Sequence, residues 1–481
     1  MTTTGARTAP AARTAGGRSR LRVPMPRVTL AWLDVALLLL GFALLVLLPN
    51  APAVPHWRPR MLFWHDGFER YVLLDRWDHG DVRSLRADHN ATWLLRWPWL
   101  ASLPAMPVWL LGRVVLTPSW WLARFNLLAL GVAMLVVWRC LRDRVEPTVL
   151  RTFFLLLIAA SMFPAHLAAY FPIEPLPALL LGCGVLVACT RAPKTGWTAA
   201  ALGTAMIPAL LPAFAVGIGL VAVRQRRIRL LAFPVLSALL LIGDVWFRSG
   251  RVALLYATTD LGYRTVLPYS GKPGFSYPVL FGLLNLLFSP GRGLIFFAPG
   301  LFLPARAALR RAGRELWSGH AVLLVVVAVA TVVYAAWWGW DGGFFFGPRF
   351  LLIASIPASL ALAAWLWRPP TSVLGRVGLL AVLLLSSWVA VAGAVFGMSG
   401  LQRCDVGRDT MPYLCDSVPE FSALWHPFVA HPPLDSVQLA FAGFVAVVFG
   451  RLAGPLVLPL ARQGWSSAAS ALPRLRSGWR W

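Results

Sequence analysis

Six carboxylates are concentrated between Met61 and Asn90, in a chain that elsewhere carries few acidic residues. They are Asp66, Glu69, Asp75, Asp78, Asp81 and Asp88. If residues 67–77 form a helix, Asp66 and Glu69 share one face and Arg70 lies one turn above Asp66. Two carboxylates beside an arginine can work as an acid/base centre. The alternative is a capping box, with Asp66 as the N-cap of the helix and Glu69 as its N3 partner.

Cationic and aromatic residues further along the chain supply other candidate groups. Arg292 in SPGRG and Arg349 in FGPRF each stand at the mouth of an apolar run, among Gly and Pro residues that favour turns. Both are candidates for binding a phosphate, with interfacial snorkelling as the alternative. Lys272 is a third candidate, with a solvated loop lysine as the alternative. Candidate substrate-binding residues are Asp341, Glu174, Trp338 and Tyr71.

Two of these substrate-binding candidates also have structural interpretations. Asp341 stands among Trp and Phe residues, where a carboxylate could orient sugar hydroxyls while a ring such as that of Trp338 stacks on the sugar. The alternative is a turn-forming Asp-Gly pair in an aromatic belt. Glu174 lies between Pro172 and Pro175, where it could contact a substrate or cap a span. The sequence leaves these pairs of alternatives open.

The sequence contains few groups suited to holding a metal. His65, His79 and His89 lie among the acids and could ligate a divalent cation, but their spacing matches no ligand pattern, and no other cofactor is indicated. Cys404 and Cys415 share a polar loop and could pair in an oxidising compartment, which would contribute about 3 kcal/mol. The other three cysteines fall in or beside apolar runs and are interpreted as core residues.

The composition indicates which elements position these residues. The chain has 481 residues, of which 58% are hydrophobic and 13% charged, so we predict an all-α polytopic membrane protein with about twelve spans of about 20 residues each. The net charge of +25 does not indicate nucleic-acid binding, because the arginines lie between apolar runs and not on one folded face. We expect a multi-pass protein of the cytoplasmic membrane.

The basic segments set the predicted topology. Residues 1–27 and 461–481 are predicted to be basic cytoplasmic tails around a transmembrane domain at 28–460. The third span is predicted near 152–169, an eighth after residue 292, and Pro208 and Pro212 are predicted to divide the run Trp197 to Val223 in two. The predicted outer loops are 49–118, 247–292, 337–349 and 397–433.

The first of these loops is rich in tryptophan, which is typical of amphipathic helices at a membrane interface. In this topology fourteen of the nineteen Asp and Glu residues lie in outer segments, three lie inside and two lie within spans. Carboxylates do little to set orientation, so the bias indicates function on the outer face, although the greater length of the outer loops also contributes.

Three separated motifs resemble one family. They are the acidic first outer loop ending in PWLASLPAMPVWLLG, the segment SPGRGLIFFAPGLFL and the segment WWGWDGGFFFGPRFLL. Together they resemble bacterial, especially actinobacterial, GT-C membrane glycosyltransferases such as mannosyl- and arabinosyltransferases. The turn FPIEPL is also similar to that family's pattern after the third span, and the resemblance extends from about Val28 to Leu460.

The resemblance implies transfer of a sugar from a polyprenyl-phosphate donor to a glycan, lipid or protein acceptor at the outer face. An acid in the first outer loop serves as general base in that family, a role that falls here to Asp66 or to Glu69. The family often has two adjacent acids, whereas this chain has His65-Asp66-Gly67. The alternative functions are a secondary transporter or lipid-linked-substrate flippase, and a non-catalytic lipid-binding or assembly factor with the same fold. The two halves of the chain look unlike each other, which argues against a transporter.

Overall fold

The computed structural model describes residues 27–48, 66–81, 99–169, 171–190, 192–249, 252, 274–343, 345–397 and 415–477. Within this range the side chains of 27–30, Asp66, Phe68, Glu69, 248–249 and 462–477 are not described. All regular elements of the described residues are helices, which confirms the predicted all-α class.

Eighteen α-helices are described, in addition to short 3-10 and π turns. They are α1 Arg27–Leu47, α2 Asp66–Asp78, α3 Met106–Val114, α4 Pro118–Leu141, α5 Pro147–Ala159, α6 Phe163–Ala168, α7 Pro175–Ala188, α8 Pro193–Met206, α9 Leu210–Gln225, α10 Ala232–Ser249, α11 Val279–Phe288, α12 Leu294–Phe297, α13 Arg306–Ala312, α14 Arg314–Ala335, α15 Ser355–Trp367, α16 Val373–Val391, α17 Pro427–Ala430 and α18 Ser436–Ser477.

Six helical stretches of the described residues are long and apolar enough to cross a membrane. They are Pro118–Leu141, Ile228–Phe247, Arg314–Ala335, Arg349–Trp367, Val373–Phe396 and Ser436–Ala461. Five shorter apolar helices accompany them: Ala31–Leu47, Pro147–Ala159, Pro175–Ala188, Leu210–Gln225 and Val279–Phe288. The protein is therefore an α-helical membrane protein, and the figure of twelve spans stays a prediction.

Local sequence explains several helix ends. The side chain of Thr117 accepts a hydrogen bond from the Trp120 amide at 3.3 Å and so caps α4, and Ser372 caps α16 through the Gly375 amide at 3.2 Å. The predicted break near Pro208 is confirmed, because α8 ends at Met206 and α9 begins at Leu210.

Two predicted spans are not continuous helices. The third is divided into α5 and α6 at residues 160–162, where the Ser161 hydroxyl donates to the Leu157 carbonyl at 2.7 Å and accepts from the Phe163 amide at 3.1 Å. The eighth consists of α12 and a 3-10 turn, Pro299–Phe302, separated by a non-helical Ala298. Both breaks are buried in protein, where a membrane protein tolerates irregular backbone.

Helices α7 and α8 illustrate how the bundle packs. A Cβ on Gly184 would lie 2.8 Å from the backbone of Ala200, and one on Gly203 would lie 2.8 Å from the Leu181 amide. Only glycine allows such close backbone approach, so small residues replace bulky apolar side chains at this interface.

Basic residues cluster at one end of the bundle, which we call the basic end. Its members are Arg139, Arg142, Arg144, Arg224, Arg226, Arg227, Arg229, Arg306, Arg310, Arg311 and Arg314. The Glu146 amide donates to the Ala312 carbonyl at 3.1 Å, and Arg144 lies 3.9 Å from Glu315, so α5, α13 and α14 meet there.

The opposite end, which we call the acidic end, contains Asp75, Asp78, Asp81, Glu174, Asp244, Asp341 and Asp416. Neither end has charges of one sign only, because Glu315 lies beside Arg144 at the basic end, and Arg113, Arg292 and Arg349 pair with acids at the acidic end.

Candidate functional site

Arg70 fastens the acidic helix α2 to the bundle. Its side chain is 1% exposed, and its guanidinium donates to the carbonyls of Ala101 at 2.6 Å, Phe171 at 2.8 Å and Pro172 at 2.6 Å. The guanidinium carbon also lies 3.6 Å from the centroid of the Phe171 ring. Because Phe171 and Pro172 lead directly to Glu174, Arg70 joins the helix of the predicted base to the segment of a predicted substrate-binding residue.

The remainder of α2 is held by aromatic and ionic contacts. The half-buried Tyr71 packs edge-on against Trp109 at 5.0 Å, and burial together with the nearby Asp75 raises the pKa of Tyr71. Asp78 accepts hydrogen bonds from Trp109 Nε1 at 3.2 Å and from Arg113 at 2.7 Å. The helix therefore lies in a defined orientation at the acidic end.

A buried ion pair lies at the centre of the acidic end. Arg349 NH1 is 3.1 Å from Glu174 Oε1, and the two residues are 7% and 1% exposed. The Arg349 guanidinium also lies over the rings of Phe345 at 3.9 Å and Phe350 at 4.9 Å. The fold thus brings together two sequence-predicted residues that are far apart in the chain.

Two polar residues that the sequence analysis missed complete this cluster. Tyr334 stacks on Phe350 with ring centroids 4.8 Å apart, and its electrostatic neighbours are Glu174 and Arg349. His166 is 2% exposed, hydrogen-bonds to the backbone of Phe346, and has a Nε2 atom with no hydrogen-bond partner among the described residues. The feature of the sequence that could have identified His166 is its position as a single ionisable residue in an apolar run.

Arg292 holds the aromatic loop, residues 337–343 and 345–348, against the segment at Asp416. Its Nε donates to Asp416 Oδ1 at 2.8 Å, and its other nitrogens donate to the carbonyls of Phe345, Gly347 at 2.6 Å and Gly343 at 2.6 Å. These bonds use four of the five N–H groups of a guanidinium. This geometry favours a structural role for Arg292 over direct phosphate binding.

Asp416 is a buried acid that the sequence analysis also missed. Burial raises its pKa to about 7, against the opposing effect of Arg292, and the nearby Asp341 adds to the increase. Its neighbour Cys415 is disulfide-bonded. The position of Asp416 next to a cysteine was the feature of the sequence that could have identified it, because a disulfide can hold an adjacent acid in place. The predicted partner Cys404 lies outside the described residues. The thiols of Cys140, Cys183 and Cys189 are free.

The aromatic loop carries the other two sequence-predicted substrate residues. Asp341 is half-buried and lies within electrostatic reach of Asp416. Trp338 is also half-buried, stacks on Trp337 at 6.2 Å, and its amide donates to the Gly274 carbonyl at 3.0 Å. Both residues belong to the same end of the bundle as the Glu174–Arg349 pair.

Several predicted residues cannot be placed. Helix α2 begins at Asp66, but the side chains of Asp66 and Glu69 lie outside the described part, as does Lys272. Because these two side chains are not described, the capping box and the base assignment both stay predictions. His79 contacts the Asp75 carbonyl at 2.8 Å. Among the described residues no three His, Cys, Asp or Glu side chains come together as metal ligands, and the divalent cation stays a prediction.

The cluster as a whole holds a buried guanidinium at the acidic end, with Glu174 as its counter-charge. An arginine held between two aromatic rings presents its donors in a fixed plane, which matches phosphate geometry. Comparisons of the chain with protein-family models, curated proteins and solved structures found no match.

Proposed function

We propose that the chain is a GT-C-type membrane glycosyltransferase that moves a sugar from a polyprenyl-phosphate donor to an acceptor at the outer face of the cytoplasmic membrane. The observation that carries the proposal is the buried Glu174–Arg349 pair, 3.1 Å apart, beside the helix that begins at Asp66. The basic end faces the cytoplasm with both termini, following the positive-inside rule, and the acidic end faces outwards.

The reaction we propose is an inverting displacement. Asp66 takes the proton of an acceptor hydroxyl, with Glu69 as the alternative base, while the acceptor oxygen attacks the anomeric carbon. The bond from that carbon to the phosphate oxygen breaks, and polyprenyl phosphate leaves with the electron pair. Arg349 stabilises the charge on the departing phosphate.

The contacts of the other residues suggest supporting roles. Glu174 holds the Arg349 guanidinium in place before substrate arrives, so little reorganisation accompanies the reaction. Arg292 positions the aromatic loop through its carbonyl contacts. Within that loop, Trp338 and Asp341 are available to stack on the sugar and to bind its hydroxyls.

The test is turnover of lipid-linked sugar by the full-length protein in nanodiscs. Radiolabelled polyprenyl-phosphate sugars are supplied with membrane-extracted acceptors, and release of polyprenyl phosphate is measured. We expect Asp66→Asn to lose about 100-fold or more of the rate, as removal of a general base does. Asp75→Asn is the matched control, because it makes the same chemical change on the same helix and should retain activity.

The variants separate the alternatives. Full activity in Asp66→Asn with loss in Glu69→Gln would move the base to Glu69, and full activity in both would refute a base on α2. Failure of the wild-type protein to consume any of these donors would overturn the glycosyltransferase proposal itself.

The transporter alternative has one observation in its favour. The breaks in α5–α6 and α12 meet at a small buried cavity lined by Ser161, Ser355 and Ser359, and transporters place broken helices at mid-membrane. Uptake of a labelled solute or lipid-linked sugar into proteoliposomes, without breakage of the sugar–phosphate bond, would support that function.

A further inference from the structure

A groove of about 660 Å³ lies at the basic end, between helices α9 and α14. Its walls are apolar and include Leu220 and Val221 from α9 and Val322 and Val325 from α14. Arginines stand at its mouth: Arg224, Arg310 and Arg314. Helix α14 reaches from this groove, at Val325, to Tyr334 of the Glu174–Arg349 cluster, and the groove opens at the opposite end of the bundle.

The described residues provide no counter-charge for the arginines of the groove. No carboxylate lines it, and Arg224, Arg310 and Arg314 form no ion pair with a described residue. The nearest acid in sequence, Glu315, lies 3.9 Å from Arg144 instead. Three positive charges therefore lie beside an apolar wall, and this combination complements a molecule that has an anionic group and a hydrocarbon chain.

Trp317 lines the groove beside the arginines. The guanidinium carbon of Arg310 lies 5.9 Å from the centroid of the Trp317 ring, at the edge of cation–π range. Gln225 and Ser318 also line the groove and offer hydrogen bonds beside the arginines. Along α14 the lining changes from Arg314 through Ser318 to Val322 and Val325. An anionic phospholipid has the same order of chemistry, from its phosphate to its acyl chains.

We propose that this groove binds one anionic phospholipid, with its phosphate among Arg224, Arg310 and Arg314 and one acyl chain between α9 and α14. Basic pockets between transmembrane helices bind anionic headgroups in this way. The site does not depend on the proposed glycosyltransferase activity, and it takes a different ligand at a different end of the bundle.

The groove contains a natural reporter, because the free thiol of Cys189 lines it. The full-length protein is placed in nanodiscs of phosphatidylcholine alone or with phosphatidylglycerol of identical acyl chains. Alkylation by the uncharged reagent N-ethylmaleimide is then followed by mass spectrometry. We expect phosphatidylglycerol to slow labelling of Cys189 several-fold and to leave Cys140, a free thiol outside the groove, unchanged.

Two triple variants test the source of this protection. Replacing Arg224, Arg310 and Arg314 together with Gln should lower the affinity for phosphatidylglycerol about a hundredfold, since each arginine near an anionic surface contributes about fivefold. The matched control replaces three exposed arginines of the same end that do not line the groove, Arg139, Arg227 and Arg229, with Gln. The control should keep the protection of Cys189.

The outcomes are distinguishable. Equal labelling of Cys189 in the two lipids, measured on the unmodified protein, would overturn the proposal. So would equal loss of protection in both triple variants, because the effect would then come from general surface charge. Protection by soluble glycerol phosphate in phosphatidylcholine nanodiscs would overturn the phospholipid as the ligand and leave a site for a free phosphate.

Discussion

Replacement of Glu174 by Gln tests the buried ion pair directly. With 3.1 Å between Arg349 NH1 and Glu174 Oε1, the attraction is about 5 kcal/mol at an effective dielectric constant of about 20. The variant keeps the shape of the side chain but leaves the Arg349 charge buried without its counter-charge. Removal of one partner of a buried pair costs about 3 to 5 kcal/mol, so we expect a loss of unfolding free energy in this range.

The assay is a double-mutant cycle on the full-length protein. Unfolding is followed in the same detergent for wild type, Glu174→Gln, Arg349→Met and the double variant. The double variant has no buried charge at this position, so we expect it to be less destabilised than the sum of the single variants, by about 1 to 3 kcal/mol. Asp143→Asn is the control, because Asp143 is 63% exposed and pairs with the exposed Arg142 at 3.5 Å.

Three results are informative about this pair. Loss of less than about 1 kcal/mol in Glu174→Gln, the size expected for an exposed pair, would refute the assignment of a buried, charged interaction. Additive effects in the double variant would show that the two side chains do not act on each other. A cost for Asp143→Asn as large as that for Glu174→Gln would show that the assay responds to any lost charge.

Three further predictions test the elements around the site. Arg70→Met should destabilise the protein and expose α2 to protease, because carbonyls at Ala101, Phe171 and Pro172 lose their donor, whereas Arg76→Met on the same helix should not. Gly347→Ala should cost more stability than Gly343→Ala in thermal unfolding: both residues have positive φ, but only at Gly347 would the new Cβ contact another side chain, the Phe297 ring at 2.7 Å. Equal costs would refute that packing argument. Asp416 has a pKa raised to about 7, and an unfolded Asp ionises near pH 4, so its contribution to stability is present at low pH and is lost as the pH rises through about 7. Asp416→Asn should flatten the thermal stability between pH 5 and about 8, and an unchanged pH profile would contradict the raised pKa.

Local patterns of the sequence predicted much of the architecture. Apolar runs of span length predicted an all-α membrane protein, and six such helices are present among the described residues. Pro208 predicted the interruption between α8 and α9, because proline lacks the amide proton that a helix interior requires. These features depend on residues that are close in sequence, so they can be read from it.

The composition of the candidate site was partly predictable for the same reason. Glu174 and Arg349 were recognisable as charged residues at the ends of apolar runs, but nothing near either residue in sequence indicated that they pair. Arg292 was recognisable as a cation, yet its contacts with carbonyls more than fifty residues away favour positioning of a loop over phosphate binding. The neighbouring sequence shows that a charged residue is a candidate, whereas the residue that it contacts is distant in sequence and is known only from the fold.

The sequence by itself determined the helical class, the membrane environment and the candidate charged residues, because hydrophobicity and proline act over a few neighbouring positions. Only the tertiary structure decided that His166, Tyr334, Glu174 and Arg349 converge, and that Arg70 joins α2 to the same cluster. These five residues come from three α-helices, a 3-10 turn and a connecting segment. Their meeting depends on how whole helices pack, and buried charges must find their counter-charges and hydrogen-bond partners through that packing.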